Sequence, residues 1–222
     1  MERLLGAYVY QDMKWKDLVL NNDDSLIKSL NKRAGAIKKI SKSASFKTRK
    51  LIANGIYMSK LIYLMPVWIG CEDYLINALQ VNLNKVARLV TKLDIFTPTE
   101  VLMQQCGWMP IRQLMLYNSL VLLHKTLQNK SPSYLYQKVT SGTQHHHTRQ
   151  TAASLAADIA AGVTEQPLVN NSELDICRSS WAWASVHWYK QLPPDLKAER
   201  KPHKFKRALK TWLAKRNETD LN

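Results

Sequence analysis

The side chains best placed to do chemistry in this chain are cations. Lys28, Lys32, Lys39 and Lys42 recur at a spacing that puts them on one side of a helix, while Leu26, Leu30, Ile37 and Ile40 fall on the other. Arg33 is the exception, lying close to the apolar stripe. Lys47, Arg49 and Lys50 follow directly. Near the C-terminus Lys206, Arg207 and Lys210 lie largely off the face made by Phe205, Leu209, Trp212 and Leu213. Cations gathered in this way neutralise phosphates and release their counterions, so these ten residues are the candidate phosphate contacts.

Other chemistries find less support. There is no GxxxxGKS/T, GxGxxG, GxSxG or HExxH pattern. His145, His146 and His147 are consecutive and do not converge on one tetrahedral metal centre, so they read as part of a polar loop. The carboxylate pairs Asp23-Asp24 and Glu72-Asp73 stand where helices begin and favour the helix dipole. Phosphoryl transfer on two metals needs carboxylates converging beside a primer terminus, and no aspartate pair sits on a hairpin flanked by apolar strands. Cys71, Cys106 and Cys177 are odd in number and widely spaced, which predicts reduced, partly buried thiols. Trp181, Trp183 and Trp188 lie beside basic residues and could stack on bases, although three indoles so close together more often hold a small core together.

The elements that must position these residues follow from charge and period. The chain has 222 residues, a formal charge of +15 and 45% hydrophobic content, enough for one large domain or two small ones and attractive to polyanions. The charge is concentrated in two segments. Residues 25–71 hold ten lysines and arginines and no carboxylate, and residues 178–216 hold eleven against two acids, whereas residues 72–177 balance at eight of each. No apolar run is long enough to span a membrane and the N-terminus lacks the regions of a signal peptide, so an intracellular protein without a membrane partner is expected.

Alternation around Gly6 predicts a short β-hairpin within residues 1–20. Asp23 or Asp24 is placed to cap the first basic helix, and Ser45 a second that Pro66 ends, with Gly55 inside it implying close helix packing. A third helix is predicted from about Glu72 to Leu93. Thr97-Pro98-Thr99-Glu100 has the form of a capping box with proline at the first helical position, opening a short helix that stops at Gly107. Pro110 begins a further helix to about Gln128. Residues 137–176 lose the apolar period and read as a loose connector, with one weak helix over 152–161; order returns in a basic, Trp-rich segment, 177–222.

Taken in order, several segments resemble the region after the catalytic palm of LINE-type (non-LTR) retrotransposon reverse transcriptases. They are Leu5-Gly6 with Trp15; Leu30-Asn31-Lys32-Arg33 with Ile37-Lys38-Lys39-Ile40; Leu61 to Trp68; Asn84-Lys85-Val86-Ala87-Arg88; Gly107 to Leu114 with His124-Lys125; and Trp188 to Leu196 with Lys204-Phe205-Lys206. The family often has a histidine shortly after the hairpin tryptophan, where this chain has Leu18. The resemblance implies a mostly α fold: a palm-end hairpin remnant (1–20), a helical thumb-like domain (21–136), the connector (137–176) and a small Trp-rich helical subdomain (177–222). It further implies an RNA or DNA template-primer as partner, alongside the palm and fingers of the parent RNA-directed DNA polymerase. The Mg²⁺ of that enzyme would be held by aspartates absent from this sequence, so no cofactor and no catalytic residue are expected in this chain. The rival expectation is a helical scaffold for a protein partner, derived from a truncated retroelement and without enzymatic activity.

Overall fold

A computed structural model describes residues 2–4, 7–9, 15–21, 25–63, 65–140 and 181–216. The chain is mostly helical, as expected. Its elements are β1 (Glu2–Leu4), β2 (Ala7–Val9), a π-helical turn (Asp17–Asn21), α1 (Leu26–Ile40), α2 (Phe46–Ile52), a second π-helical turn (Ala53–Met58) and α3 (Ser59–Ile62). A 3-10 turn (Met65–Trp68) leads to α4 (Asp73–Thr91), α5 (Thr99–Cys106), α6 (Ile111–Asn129) and α7 (Ser133–Thr140). Beyond residue 180 come α8 (Trp181–Lys190), α9 (Pro194–Ala198) and α10 (Pro202–Ala214). The hairpin predicted over residues 1–20 is not supported as an element of the fold. β1 and β2 are three-residue stretches in antiparallel register, Glu2 opposite Val9, and the chain has already turned helical at Asp17–Asn21.

The chain divides into two compact units, Met1–Leu114 and Met115–Asn222, the division falling inside α6. The first unit is built on α4. Leu75, Leu79, Leu83, Val86 and Val90 recur every three or four residues and are fully buried, and α1, α2 and α5 pack against them. From α1 come Leu30 and Ile37; from the segment after it come Tyr57, Leu61, Met65 and Trp68. Each such side chain withdrawn from water stabilises the unit by about 1.5–3 kcal/mol. One polar line crosses this core. The Tyr57 hydroxyl donates to Asn82 Oδ1 (2.8 Å), and Asn82 Nδ2 donates to Asn31 Oδ1 (2.6 Å), tying α1 and the π-helical turn to α4.

Helix ends follow the sequence in part. Ser45 Oγ accepts the Thr48 N–H at 3.3 Å, the cap expected for α2. The predicted cap of α1 by Asp23 or Asp24 lies outside the described residues; the helix begins after Ser25, whose side chain makes no capping bond. The capping box on Thr97 does not form. Asp94 folds the loop first, its Oδ1 accepting the Phe96 N–H (2.9 Å) and its carbonyl that of Thr97 (3.2 Å), so the chain enters α5 a residue later, with Pro98 at the N-cap. Gly107 ends α5 in the left-handed region (φ 65°), as predicted. Gly55 does not mark a close packing: it is exposed in the π-helical turn, and an added Cβ would meet nothing within 4 Å.

In the second unit Leu120, Leu123, Val139, Val186, Leu192, Leu196, Phe205, Leu209 and Leu213 are buried. His124 sits among them, its ring stacked on Phe205 (centroids 3.7 Å apart) and its Nδ1 3.2 Å from the Tyr189 hydroxyl. Burial holds the imidazole below its usual 6.5, opposed by Glu199, whose backbone and carboxylate both favour the cation. Because the unfolded chain takes up this proton first, stability present above pH 6.5 is lost as pH falls from there toward the lower folded value. The melting temperature should therefore drop between about pH 7 and pH 5 by more in the wild type than in His124→Phe. Parallel pH profiles of the two proteins would refute this.

Candidate nucleic-acid interface

The structure separates the predicted phosphate contacts by what their side chains do. Lys28, Lys32 and Lys39 are exposed on α1 and lie within about 40° of one another around its axis, opposite buried Leu30 and Ile37. They extend over about 16 Å along the helix. Lys42, in the turn after α1, and Lys47, in the first turn of α2, are exposed too. The resulting surface is basic and belongs to a segment with no carboxylate from Ser25 to Cys71. Arg33 keeps off it, donating from Nη1 to the Ile56 carbonyl (3.2 Å) in the π-helical turn.

Arg49 is a correction. It is 7% exposed, and its guanidinium donates from Nε to the Val90 carbonyl (2.7 Å) and from Nη1 to the Ala44 carbonyl (2.6 Å). Val90 lies in the last turn of α4, where carbonyls lack a helical partner and the dipole favours a cation. The fork geometry of guanidinium lets one side chain serve both carbonyls. Arg49 is therefore a positioning residue that fixes the start of α2 against the end of α4. Lys50 is half-buried, with Nζ 3.3 Å from where a Cβ on Gly107 would stand, and so lies at the C-terminal end of α5. A cation suits that end as well. In the second unit Lys206, Arg207 and Lys210 are exposed on α10, off the buried face of Phe205, Leu209 and Leu213.

The remaining candidates resolve structurally where they are described. Asp73 stands in the first turn of α4 and pairs with Arg112 at 2.8 Å; Glu72 is the N-cap residue. Asp23, Asp24, Cys177 and His145 to His147 lie outside the described residues. The buried thiols of Cys71 and Cys106 are pushed up to about 12 and about 11, in each case chiefly by burial, so neither is a ready thiolate. Among the described residues no group of three metal-ligating side chains converges. Trp181, Trp183 and Trp188 are half-buried, outside the fully buried core; Trp183 stacks on His187 (5.0 Å). The Arg216 guanidinium lies 4.1 Å from the Trp212 ring centroid and 6.0 Å from that of Trp188.

One feature of this surface has no counterpart in the sequence expectations. Between α4 and α5 the loop carries Leu93, Ile95 and Phe96 outward, with Ile95 69% and Phe96 90% exposed. The cue was available: three apolar residues without helical period, between a helix end and Pro98, with Asp94 set to close a turn. Among the described residues no helix is long and apolar enough to cross a membrane. In comparisons with known proteins, no family, no curated protein and no solved structure matches this chain.

Proposed function

We propose that this chain binds template-primer nucleic acid through phosphate contacts as the thumb-like and C-terminal part of a LINE-type reverse transcriptase, and that no residue in it performs the polymerase chemistry. The observation that carries the binding is the exposed row Lys28, Lys32 and Lys39, continued by Lys42 and Lys47, on the side of α1 opposite its buried leucine and isoleucine. A row of ammonium groups on a rigid helix matches a regular phosphate repeat and reads no bases, so binding is sequence-tolerant. The family assignment rests on the ordered motifs from Leu5-Gly6 to Lys204-Phe205-Lys206. In this proposal the helices around α4 are the thumb and α8 to α10 the Trp-rich subdomain.

Filter binding of an RNA–DNA duplex at two salt concentrations tests the proposal. With one phosphate engaged by each of the five lysines, raising salt from roughly 50 to 200 mM should weaken binding by about 500-fold. The triple variant Lys28→Gln, Lys32→Gln, Lys39→Gln should bind at least about tenfold more weakly at intermediate salt and show a shallower salt dependence, by about three units of slope. Affinity indifferent to salt, or a triple variant that binds like the wild type, rejects it.

A further inference from the structure

The loop at Phe96 is built to hold an aromatic ring out in water. Its backbone is fixed at four points: Asp94 Oδ1 accepts the Phe96 N–H, the Asp94 carbonyl accepts that of Thr97, Thr91 Oγ1 accepts that of Leu93 (3.3 Å), and Arg88 Nη2 donates to the Thr97 carbonyl (3.4 Å). Lys92 turns the chain out of α4 in the left-handed region (φ 61°). Nothing in this bonding requires an apolar side chain at position 96, because residue 96 contributes only its backbone N–H to it. A phenyl ring left 90% exposed gains nothing for the fold.

The position of the loop indicates what the ring meets. Arg49 binds the Val90 and Ala44 carbonyls at once, so the loop leaves α4 at the corner where the chain passes from α1 to α2. Lys42 and Lys47 flank Ala44 in sequence, Lys92 opens the loop, and all three are exposed. The acids nearby in sequence are Asp94, one of whose oxygens is engaged with the Phe96 amide, and Glu100 in the first turn of α5. A protruding ring on a loop that opens with Lys92 and leaves α4 at the corner between Lys42 and Lys47 has the makings of a single-strand site, with cations for the phosphates and a π-face for a base. We infer that Phe96 stacks on an unpaired base of a nucleic-acid strand whose phosphates run along Lys42, Lys47 and Lys92. This rests on the phosphate-binding surface proposed above and adds a contact to bases, which lysines do not supply.

The experiment compares two probes that share a backbone and differ in bases: an oligodeoxyadenylate and an abasic oligonucleotide of equal length. Measured by fluorescence anisotropy on the full chain, Phe96→Ala should lose about tenfold in affinity for the oligodeoxyadenylate and none for the abasic strand. Phe96→Trp should retain wild-type affinity for both, and both variants should melt with the wild type, since the ring touches no core. Replacing Lys42, Lys47 and Lys92 together with glutamine should weaken both probes alike. Phe96→Ala binding the oligodeoxyadenylate like the wild type overturns the inference and leaves the phosphate surface standing. An equal loss on the abasic strand also overturns it, as does a wild-type dimer in sedimentation that Phe96→Ala dissolves, which would make the loop a protein contact. Failure of the wild type to bind either probe overturns this inference, and failure to bind the RNA–DNA duplex as well overturns the proposed function.

Discussion

Replacing Arg49 with alanine should cost the chain about 3 kcal/mol of stability, although the residue sits in the most basic stretch of the sequence and its loss lowers net charge. The guanidinium is buried and serves two carbonyls, Val90 and Ala44, in different elements. Alanine removes both bonds, leaves both carbonyls short of a partner, and opens a cavity. For a chain of this size the change corresponds to a melting temperature roughly 6–12 °C lower. Arg49→Lys should recover only part, because a single ammonium point cannot span two acceptors that a planar fork reaches together. By contrast Lys47→Ala, two residues away and exposed, should change stability by less than about 0.5 kcal/mol. Urea unfolding followed by circular dichroism compares the three. If Arg49→Ala unfolds with Lys47→Ala, the guanidinium is not the pin described here.

The second large effect lies in the polar line through the first unit. Asn82→Ala should destabilise by about 2 kcal/mol, because the Tyr57 hydroxyl, on a residue with no exposed surface, loses its acceptor at 2.8 Å. Asn31, at the other end, is exposed and can turn to solvent. The asymmetry predicts non-additivity: removing the hydroxyl as well, in Tyr57→Phe with Asn82→Ala, should cost less than the two single variants together, by about 1 kcal/mol. Strict additivity in a double-mutant cycle contradicts the hydrogen bond. Since Asn31 precedes Lys32, faster amide exchange in α1 of the Asn82→Ala protein would show that the same line steadies the helix bearing the lysine row.

The helices were legible in the sequence because periodic burial is a local signal. Leu75 through Val90, the serine cap at Ser45 and the glycine stop at Gly107 each depend on residues within a few positions, and each stands where the pattern puts it. The candidate surface was legible to the same extent, since Lys28, Lys32 and Lys39 share a side of α1 by spacing alone. What failed needed distant partners. Arg49 has the same formal charge as Lys47, and only the carbonyl of Val90, 41 residues on, makes it structural. Gly55 suggested a tight helix crossing, but the helix widens there and leaves the position open. The Thr97 box had the right letters and lost to Asp94, whose carboxylate and carbonyl closed the preceding turn first. The hairpin fared worst, because alternation over a few residues is weak evidence when a helix starts as early as Asp17.

The widened turn at Ala53–Met58 also shifts phase between the two halves of one rod. A loop of backbone that accommodates one more residue than the usual winding advances everything after it by about a quarter of a revolution. Upstream, ordinary winding turns Lys47 outward and Arg49 inward; within and beyond the turn, the added advance sets the phase at which Tyr57 and Leu61 are buried. Excising a single residue from that stretch would leave composition and charge almost untouched, yet it would force a choice between seating the leucine and displaying the lysine.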